Sequence, residues 1–429
     1  MKKFYIYSLG CKVNSYEIEA IKDELLNIGL TIYDENEADY IIINTCCVTN
    51  NAASKSRQKI HSFHLKNKTA KIIVMGCYVQ GFEDEVKGID GISLLVGTNN
   101  RSKIKDYIIN DENNKISLVS DIKNFNKYEE LSITSYFENT RAYLKIQDGC
   151  NNFCSYCIIP YVRGVIKSRN KDEVINEAKH LIKMGYKEIV LTGIHTGSYG
   201  KDLSNYTFSN LVKDLLALDG LYRLRISSIE ESEIDDDLIN MLINDQKLAK
   251  HLHIPLQAGS DHILKLMNRK YDLKTYINNV KNIQNKVKDI AISTDIIVGF
   301  PNETDEDFME TIKTSKEIGY SKIHVFPFSS RKGTVAAKMK NQINGKVKKE
   351  RCNELIALSN KLGYEYNKRF LNKTVSVLIE EKENNYYVGH TTNFIKVQIE
   401  SIQNIERNSI INVVIKEVYD SYVIGKMEE

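Results

Sequence analysis

The sequence lacks a long hydrophobic run, since no apolar stretch approaches the roughly 20 residues that a membrane-spanning helix requires. We expect no secretory leader, because Gly10 and Lys12 interrupt the apolar residues that follow the two N-terminal lysines, and the start is predicted to be a first strand. Net charge is low, at +3, and points to no particular class of partner. A content of 42% hydrophobic and 27% charged residues is typical of a soluble globular protein. We expect a cytoplasmic protein with no membrane partner.

The chain contains eight cysteines. In a reducing compartment, cysteines serve as metal ligands or reactive thiols more often than they form disulfides. At 429 residues the chain is also too long for one ordinary domain. We expect two or three domains of about one hundred to two hundred residues each.

Residues 1–112 predict an open parallel α/β sheet. The segments KKFYIYSLG, DYIIINTC and KIIVMGC are rich in apolar residues, as strands buried on both faces are. Between the first two, SYEIEAIKDELLNIG carries apolar residues at helical spacing. Each strand ends at a cysteine: Cys11, Cys46 or Cys77. Because ligands bind at the carboxyl ends of the strands in such sheets, these three thiols are predicted to converge. We call them the strand-end triplet.

A polar linker is predicted over residues 113–138. Residues 139–368 then alternate strands and helices, and the strand candidates are YLKIQDGC, KEIVLTG, YRLRISS, HLHIP, DIAISTDIIVG and SKIHVFPF. These six strands predict a partial (β/α)6 barrel, since a full barrel of this type has eight. A basic helical stretch ends the segment.

Residues 369–429 contain five short strand candidates without intervening helices, which predicts a small antiparallel β-barrel, a type that often binds nucleic acid. This region is nearly neutral, with seven basic and nine acidic residues. Positive charge is concentrated elsewhere. Residues 331–369 hold eleven Lys or Arg against three Glu, and KSRQKIHSFHLKNKTAK holds six basic residues and no acidic one. Both stretches are either contact surfaces for a phosphate backbone or solvated helix faces.

The stretch DGCNNFCSYCIIPYVRG places Cys150, Cys154 and Cys157 just beyond the first strand of the predicted barrel. We call these cysteines the loop triplet. A structural zinc site needs four ligands, and catalytic zinc sites with three ligands favour histidine. A cubane iron–sulfur cluster has four irons, so three thiolates leave one iron open to a substrate or cofactor. The spacing therefore favours a 4Fe-4S cluster over zinc.

The strand-end triplet repeats this count of three, which indicates a second cluster with an open iron. Cys47 directly follows Cys46. Neighbouring residues of an extended chain point to opposite sides, so only one of the two can face the site. Cys352, in the basic helical stretch, is expected to be an ordinary thiol.

Taken together, several motifs resemble those of the radical S-adenosylmethionine (SAM) methylthiotransferases from end to end. They are SLGCKVNSYEIEA, INTCCVTNNAASKSRQKI, VMGCYVQ, DGCNNFCSYCIIPYVRG, LTGIHTGSYG, HLHIPLQAGSDHILKLMNRKY, VGFPNETDEDF and GHTTNF. The resemblance implies two 4Fe-4S clusters, one on the loop triplet that binds SAM and one on the strand-end triplet that presents sulfur. It assigns Cys46, rather than Cys47, as the ligand after NT. It also implies that the terminal barrel is TRAM-like.

In this family the hydrogen on C2 of an adenine is replaced by a methylthio group. General bases have little to offer there, so the family uses a radical: the cluster on the loop triplet would give one electron to bound SAM, which splits to methionine and a 5'-deoxyadenosyl radical. A second SAM methylates the sulfur. The chain most resembles the branch that modifies N6-threonylcarbamoyladenosine at position 37 of tRNA, in the anticodon stem-loop. The resemblance names neither an electron donor nor a sulfur source.

Three alternatives stay open. One sibling branch acts on isopentenyladenosine and typically has GCQMN where this chain has GCKVN. Another modifies an aspartate of a ribosomal protein, which the nearly neutral terminal barrel keeps possible. The third is a non-catalytic RNA-binding protein that carries a structural metal.

The sequence also offers candidates for residues that contact SAM, on weaker evidence than the cysteines. The candidates for SAM contacts are Tyr156, Gly193, Arg225, Ser227, Gln257 and Ser260, and each is equally well explained by a turn, core packing or a satisfied polar group. The histidines His195, His251 and His253 are expected to line the core or the pocket. Arg163 and Arg169, just after the cysteine loop, either steer phosphate or face water.

Overall fold

The computed structural model describes residues 2–111, 114–133, 140–400 and 404–427. Within these residues, the first sheet is parallel throughout, in the order β2-β1-β3-β4-β5-β6. Its strands are β1 (Lys3–Ser8), β2 (Thr31–Ile32), β3 (Tyr40–Thr45), β4 (Lys71–Gly76), β5 (Ile92–Val96) and β6 (Ile116–Ser117). Its helices are α1 (Lys12–Asn27), α2 (Asn50–Lys66), α3 (Cys77–Gly81), α4 (Glu83–Lys87) and α5 (Lys103–Asn110).

The central strands of this sheet are buried on both faces. β3 reads YIIINT and β4 reads KIIVMG, and their β-branched residues pack against helices on each side. The prediction that each strand ends at a cysteine is confirmed. Cys46 directly follows β3, Cys77 directly follows β4 and begins α3, and Cys11 precedes α1.

Part of the segment predicted as a linker is packed against the first sheet. Ile116–Ser117 pair with β5, and Leu131 and Ile133 are buried. Two of the predicted domain limits fall near residues 112–113 and 134–139, and these positions lie outside the described residues. The division of the chain into domains therefore stays a prediction.

The central segment forms the predicted partial barrel. One sheet has the order β10-β9-β7-β8, a second has the order β11-β12-β13, and an isolated bridge between Ser228 and His253 joins them. The strands are β7 (Arg141–Asp148), β8 (Lys167–Ser168), β9 (Glu188–Gly193), β10 (Arg223–Ile226), β11 (His251–His253), β12 (Ala291–Val298) and β13 (Lys322–Pro327). Except for the short antiparallel β8, these are the six predicted strands, and their ladder is parallel.

The described residues of the central segment also form eight α-helices. They are α6 (Ile159–Arg163), α7 (Lys171–Lys183), α8 (Phe208–Leu216), α9 (Asp236–Asn244), α10 (Asp261–Leu266), α11 (Leu273–Lys286), α12 (Asp305–Ile318) and α13 (Gly345–Lys368). Several of them begin where a side chain accepts a hydrogen bond from the first turn, which fixes the start of the helix. The capping residues are Asn170, Thr207, Asp235, Asp272, Thr304 and Asn344. None of the described helices combines the length and apolarity needed to cross a bilayer.

The C-terminal strands close into a five-stranded barrel in the order β14-β15-β16-β18-β17, as predicted. Four of its pairings are antiparallel, as expected, whereas β16 and β18 pair in parallel. They are β14 (Thr374–Glu383), β15 (Tyr386–Thr391), β16 (Lys396–Glu400), β17 (Ile410–Val418) and β18 (Val423–Met427). Alternate residues point inward, as in a small barrel filled by its own side chains, and Val377, Val397 and Val413 are fully buried.

The C-terminal barrel closes one end of the partial barrel. Its loop 391–394 accepts hydrogen bonds from residues at or near the start of the central strands. Arg225 Nη1 donates to the Thr392 carbonyl at 3.1 Å, and the Lys250 amide donates to Thr392 Oγ1 at 3.4 Å. The ring of Phe394 lies 4.7 Å from the Arg225 guanidinium and 5.0 Å from the His251 ring. The opposite end, where the central strands terminate, carries the loop triplet.

Candidate functional site

The loop triplet is held in place by backbone contacts to distant segments. The Cys150 amide donates to the Gly164 carbonyl at 3.0 Å, and the Ser155 amide donates to the Met267 carbonyl at 2.9 Å. Ser155 Oγ adds a bond of 2.7 Å to the Leu266 carbonyl. The loop also contains Phe153 at φ 48°, a left-handed conformation that is unusual for a bulky residue. Strained residues of this kind cluster at functional sites.

Two cationic side chains face the loop triplet. His195 Nδ1 lies 3.6 Å from Cys150 Sγ, and Arg269 Nη1 lies 3.5 Å from Cys154 Sγ. Burial lowers the pKa of His195, but contacts with Cys150 and Glu233 outweigh it and raise the pKa to about 10. Burial raises the pKa of the Cys157 thiol to about 12. The positive neighbours therefore compensate in part for the cost of ionising buried thiols.

The strand-end triplet converges as the sheet topology predicts. A Cβ atom on Gly10 would lie 3.3 Å from Cys46 Sγ, so the turn before Cys11 sits directly against Cys46. Burial, together with the nearby charges of Cys46 and Cys11, raises the pKa of Cys77 to about 12, although the Arg163 guanidinium acts in the opposite direction. Three thiols from three separate strands thus lie within electrostatic range of one another.

Cys47 lies on the other side of the chain from Cys46. It is fully buried in the second hydrophobic core, and its Sγ donates to the Cys77 carbonyl at 3.3 Å. Burial raises its pKa far above that of an ordinary thiol. Its thiol hydrogen already has a backbone acceptor, whereas Cys46 faces Gly10 and the turn that carries Cys11.

Arg163 connects the strand-end triplet to the partial barrel. Its Nε donates to Cys77 Sγ at 3.1 Å, and its Nη1 donates to Glu17 Oε1 at 2.8 Å and Asp148 Oδ2 at 3.0 Å. Arg163 is fully buried. The expectation that Arg163 and Arg169 steer phosphate or face water is therefore wrong. Arg169 is also buried, and its Nη1 donates to Glu177 Oε2 at 2.7 Å.

A buried ion network surrounds Arg163. Its acidic members are Glu17 and Asp148, and its basic members are Arg101, Lys145 and Arg163. Burial alone would raise the pKa of Glu17, but the three cations hold it well below its usual range. The network draws on α1, β7, α6 and the loop after β5. It therefore fixes the first sheet against the partial barrel.

Two consecutive residues, Arg163 and Gly164, each form a hydrogen bond with one of the two triplets. Arg163 donates to Cys77 Sγ, and the carbonyl of Gly164 accepts from the amide of Cys150. The same helix α6 presents Val162 to the first sheet, where Thr98 Oγ1 donates to its carbonyl at 2.6 Å. A rigid link of two residues thus sets the relative position of both cysteine sets.

Four of the six candidates for SAM contacts lie at the ends of the central strands that carry the loop triplet. Gly193 ends β9, Ser227 follows β10, and Tyr156 belongs to the cysteine loop. Gln257 adopts φ 67°, and its side chain makes no hydrogen bond within the described part of the chain. A left-handed glutamine with a half-buried free amide is the most distinctive of these positions.

The other two candidates are engaged elsewhere. Arg225 Nε donates to Glu188 Oε1 at 2.6 Å, and its Nη atoms donate to the Thr391 and Thr392 carbonyls, so its guanidinium binds the C-terminal barrel. Ser260 Oγ donates to Asp307 Oδ1 at 2.5 Å, at the start of α10. Sequence reasoning missed Arg269, whose contact with Cys154 joins positions 115 residues apart.

The donor sets fit iron–sulfur clusters. In the described residues, no three His, Cys, Asp or Glu side chains are close enough to hold a single metal ion. A cubane cluster places its ligands on separate corners, so its cysteines stand farther apart than those around one ion. Thiolates are the ligands that such clusters require, and each triplet has a guanidinium hydrogen-bonded to one sulfur.

Comparison with known proteins agrees with this arrangement. Residues 3–97 match the Uncharacterized protein family UPF0004, and residues 144–314 match the Radical SAM superfamily. The radical SAM methyltransferase TsrM from Kitasatospora setae, solved with tryptophan and a SAM analogue, is similar with a TM-score of 0.58. The similarity covers 76% of this chain and 73% of that chain at 11% identity, and shows the fold alone.

Sequence relatives cover nearly the whole chain. Threonylcarbamoyladenosine tRNA methylthiotransferase MtaB from Bacillus subtilis is 45% identical over 91% of this chain and 89% of its own. MtaB from Thermotoga maritima is 36% identical over 91% of both chains. The tRNA-2-methylthio-N(6)-dimethylallyladenosine synthase from Acetivibrio thermocellus is 37% identical over 88% of this chain and 81% of its own. The resemblance predicted from the motifs is confirmed, and the chain belongs to the family of radical SAM tRNA methylthiotransferases.

Proposed function

We propose that this protein is a transferase that converts N6-threonylcarbamoyladenosine at position 37 of tRNA, in the anticodon stem-loop, to its 2-methylthio derivative. One observation carries the proposal: Arg163 bonds to the strand-end triplet, and the next residue, Gly164, bonds to the loop triplet. The chain that holds this pair of three-cysteine sets is 45% identical to a threonylcarbamoyladenosine tRNA methylthiotransferase. A cytoplasmic location fits, because a reducing compartment keeps the six thiols available as ligands.

Each triplet would hold one 4Fe-4S cluster. Cys150, Cys154 and Cys157 would bind the cluster that takes SAM, and Cys11, Cys46 and Cys77 would bind the second. When bound, these groups and SAM supply the radical chemistry at C2 of adenine and the sulfur that is inserted there.

The chain's own residues would position and insulate these groups. Arg163 and Arg269 each donate to one cysteine sulfur, which stabilises the thiolate form and fixes its direction. On the side opposite the loop triplet, the loop 391–394 of the C-terminal barrel bonds to Arg225 and Lys250 and holds the partial barrel from below. Tyr156, Gly193, Ser227 and Gln257 would line the SAM site, whereas Arg225 and Ser260 would act through structure alone.

Exposed basic residues support an RNA substrate. Lys346 and Lys349 lie in the first turns of α13 and are exposed, and Lys332 and Lys340 are exposed in the loop before it. On α2, Lys55 and Lys66 are exposed as well, and the start of this helix contacts the loop after β13, since the Asn50 amide donates to Ser329 Oγ at 3.1 Å. Two basic surfaces flanking one inter-sheet junction suit a bent RNA backbone.

Nucleoside analysis of tRNA from a deletion strain tests the proposal. We expect 2-methylthio-N6-threonylcarbamoyladenosine to disappear, to return with the wild-type gene, and to stay absent with Cys→Ala changes in either triplet. Loss of 2-methylthio-isopentenyladenosine instead would assign the protein to the sibling branch. Anaerobic iron and sulfide counting provides the second arm, because zinc without sulfide would contradict both cluster assignments.

A further inference from the structure

Phe326 is an exposed aromatic ring in a strand of the partial barrel. It belongs to β13 and is 45% exposed. The inward side chains of a (β/α) barrel normally fill its interior in packed layers. Among the described strands β13 pairs with β12 alone, so it forms an open edge of its sheet. The exposed ring therefore indicates that the barrel is not filled next to this edge.

The neighbours of Phe326 show which face of β13 it occupies. Successive side chains of a strand point to opposite faces. Ile323 and Val325 contribute to the hydrophobic core that contains Leu355 of α13, and the Ile323 amide donates to Ser359 Oγ of that helix at 3.0 Å. Helices pack on the outer face of such a barrel. Phe326 therefore lies on the inner face of the sheet, opposite α13.

The inner face beside Phe326 is polar. His324, two residues earlier in β13, is also exposed, and the register partners of these two residues in β12 are Asp295 and Ile297. His253 of β11 lies on the same face, with its Nε2 3.3 Å from Asp295 Oδ1 and its ring 5.6 Å from that of His324. A ring bordered by a few hydrogen-bonding groups is typical of a site for a small heterocyclic ligand.

The chain after β13 leads from Phe326 to the loop triplet. The ring of Phe328 is buried and lies 5.2 Å from that of Phe300, which in turn lies 6.5 Å from the ring of Tyr156. Tyr156 belongs to the loop that carries the triplet. Two ring contacts thus connect the end of β13 to the cysteine loop.

The same stretch also contacts the helix that follows the strand-end triplet. Ser329 Oγ accepts a hydrogen bond of 3.1 Å from the Asn50 amide, and Asn50 Nδ2 donates to the Ser330 carbonyl at 2.9 Å. Asn50 begins α2, and Cys46 precedes this helix in the chain. β13 therefore ends where the surroundings of both triplets meet, and Phe326 is its inner-face residue closest to that end.

We propose that the ring of Phe326 stacks on the adenine that receives the methylthio group. This inference rests on the proposed function and deepens it, because it names a side chain that holds the substrate base. An enzyme that modifies a base must draw it out of the RNA stack, and such bases are held by stacking on aromatic side chains. The reacting base has to lie between the two triplets, which is where β13 ends.

SAM also carries an adenine, so the ring can stack on a purine from either source. The position of Phe326 favours the RNA. SAM is expected at the loop triplet, where Tyr156 is the candidate partner for its adenine. The open edge of β13 instead admits a nucleotide that is still attached to its chain.

The test measures RNA binding without turnover. The protein loaded with both clusters, anaerobic and without reductant, is titrated into fluorescent anticodon stem-loop RNAs. Position 37 carries threonylcarbamoyladenosine, isopentenyladenosine or an abasic site. We expect the wild type to bind the threonylcarbamoyl RNA at least about tenfold more tightly than the abasic RNA, which is the range of one stacked base.

Four variants complete the experiment. Phe326→Ala is expected to reduce that ratio to about threefold or less, whereas Phe326→Tyr keeps it, because a phenol ring stacks as well as a phenyl ring. Phe326→Leu keeps the apolar volume without the ring and is expected to lose most of the ratio as well, which separates stacking from a folding defect. Tyr364→Ala is the matched control, since Tyr364 is an exposed ring on α13, the helix on the opposite face of β13. The ratio is internal to each variant, so incomplete cluster loading does not affect the comparison.

Two results would overturn the inference. Equal binding of the threonylcarbamoyl and abasic RNAs by the wild type would exclude a contact with the base. An unchanged ratio in Phe326→Ala, with or without a uniform loss of RNA affinity, would place the base elsewhere. If SAM binding of that variant, measured by equilibrium dialysis, is then at least about tenfold weaker, the ring holds the adenine of SAM.

Failure of the proposed function is distinguishable, because it would appear in the wild type. Tighter binding of the isopentenyl RNA than of the threonylcarbamoyl RNA would indicate the sibling branch, and the ratio to the abasic RNA, taken with the isopentenyl RNA, would then test Phe326 in the same way. Equal binding of an unrelated hairpin would contradict an anticodon stem-loop substrate altogether.

Discussion

Arg163 Nε donates a hydrogen bond to Cys77 Sγ at 3.1 Å across 86 residues of sequence. The same guanidinium binds Glu17 and Asp148, so one side chain supports a cysteine of the strand-end triplet and both acidic members of the buried network. Removing one member of a buried ion network leaves the remaining charges without compensation.

Arg163→Met is expected to lower the free energy of unfolding by about 3–5 kcal/mol and to reduce the iron content of the protein. Anaerobic denaturant unfolding and iron counting check this. Arg57→Met is the control, because Arg57 pairs with Glu85 on the surface at 3.4 Å and should contribute less than about 1 kcal/mol. Equal effects of the two changes would show that the buried network carries no special stability.

Cys46 and Cys47 are expected to behave differently despite being adjacent. Cys46→Ala should remove about half of the bound iron and sulfide, since the second cluster then has two protein ligands. Cys47→Ala should keep the full iron content and cost on the order of 1 kcal/mol, because its thiol packs in a core and bonds a carbonyl. Comparable iron loss in both variants would contradict the assignment.

Phe394 is expected to anchor the C-terminal barrel to the partial barrel. Its ring stacks on His390 at 4.6 Å and lies over the guanidinium groups of Arg141 and Arg225 at 5.1 and 4.7 Å. Phe394→Ala should cost on the order of 2 kcal/mol and release the barrel for proteolysis near residue 369. Tyr419→Ala removes an exposed ring of the same barrel, and it should leave the digestion pattern unchanged.

Glu231 gives the protein a definite pH dependence. Burial raises its pKa to about 7, and its Oε2 is buried without a partner among the described residues. Between the unfolded pKa near 4.5 and the folded value, the native state holds more bound proton than the unfolded state, so stability falls as pH rises through this range. Glu231→Gln should remove that slope and stabilise the protein at pH 8 by up to about 3 kcal/mol. Urea unfolding at pH 5 and pH 8 checks this, and a slope that persists in the Glu231→Gln variant would assign the pH dependence to other groups.

Lys349 is expected to contact the RNA backbone. Reversing its charge in Lys349→Glu should weaken binding of the anticodon stem-loop uniformly across base modifications and reduce the slope of log affinity against log salt by about 1. Lys274→Glu, an exposed lysine of α11, provides a matched reversal outside the basic stretch. If both reversals weaken RNA binding equally, the loss comes from the change in the protein's net charge and not from a contact at Lys349.

Much of the fold follows from local sequence patterns. Buried parallel strands such as β3 and β4 are unbroken apolar runs in the sequence. Each is followed directly by a cysteine, Cys46 or Cys77, and the parallel topology places both at the same edge of the sheet. The loop triplet is compact in sequence, so its spacing alone indicates a cluster. The terminal barrel is also predictable from the sequence, since the apolar residues Val375, Val377 and Ile379 occupy every second position of β14.

The partners of the buried charges could not be predicted in this way. Arg163 and Glu17 are separated by 146 residues, and Arg225 and Thr391 by 166. An arginine in a polar motif looks the same whether it faces water or fills a buried network, because the choice depends on which acidic residue the topology brings to it. Local sequence for this reason predicts Arg225 at the SAM site, although its guanidinium binds Glu188 and the loop 391–394.

The buried network also has a consequence for synthesis of the chain. Glu17 and Cys77 leave the ribosome well before Arg163, and the interval of 86 residues after Cys77 lasts on the order of ten seconds at typical translation rates. Once β6 has been made, the first sheet is complete in sequence and Glu17 can pair with Arg101, but Glu17 still lacks Arg163. A cluster inserted then would rest on a Cys77 without its donor. The strand-end site therefore has its full set of neighbours only after β7 and α6 have been translated.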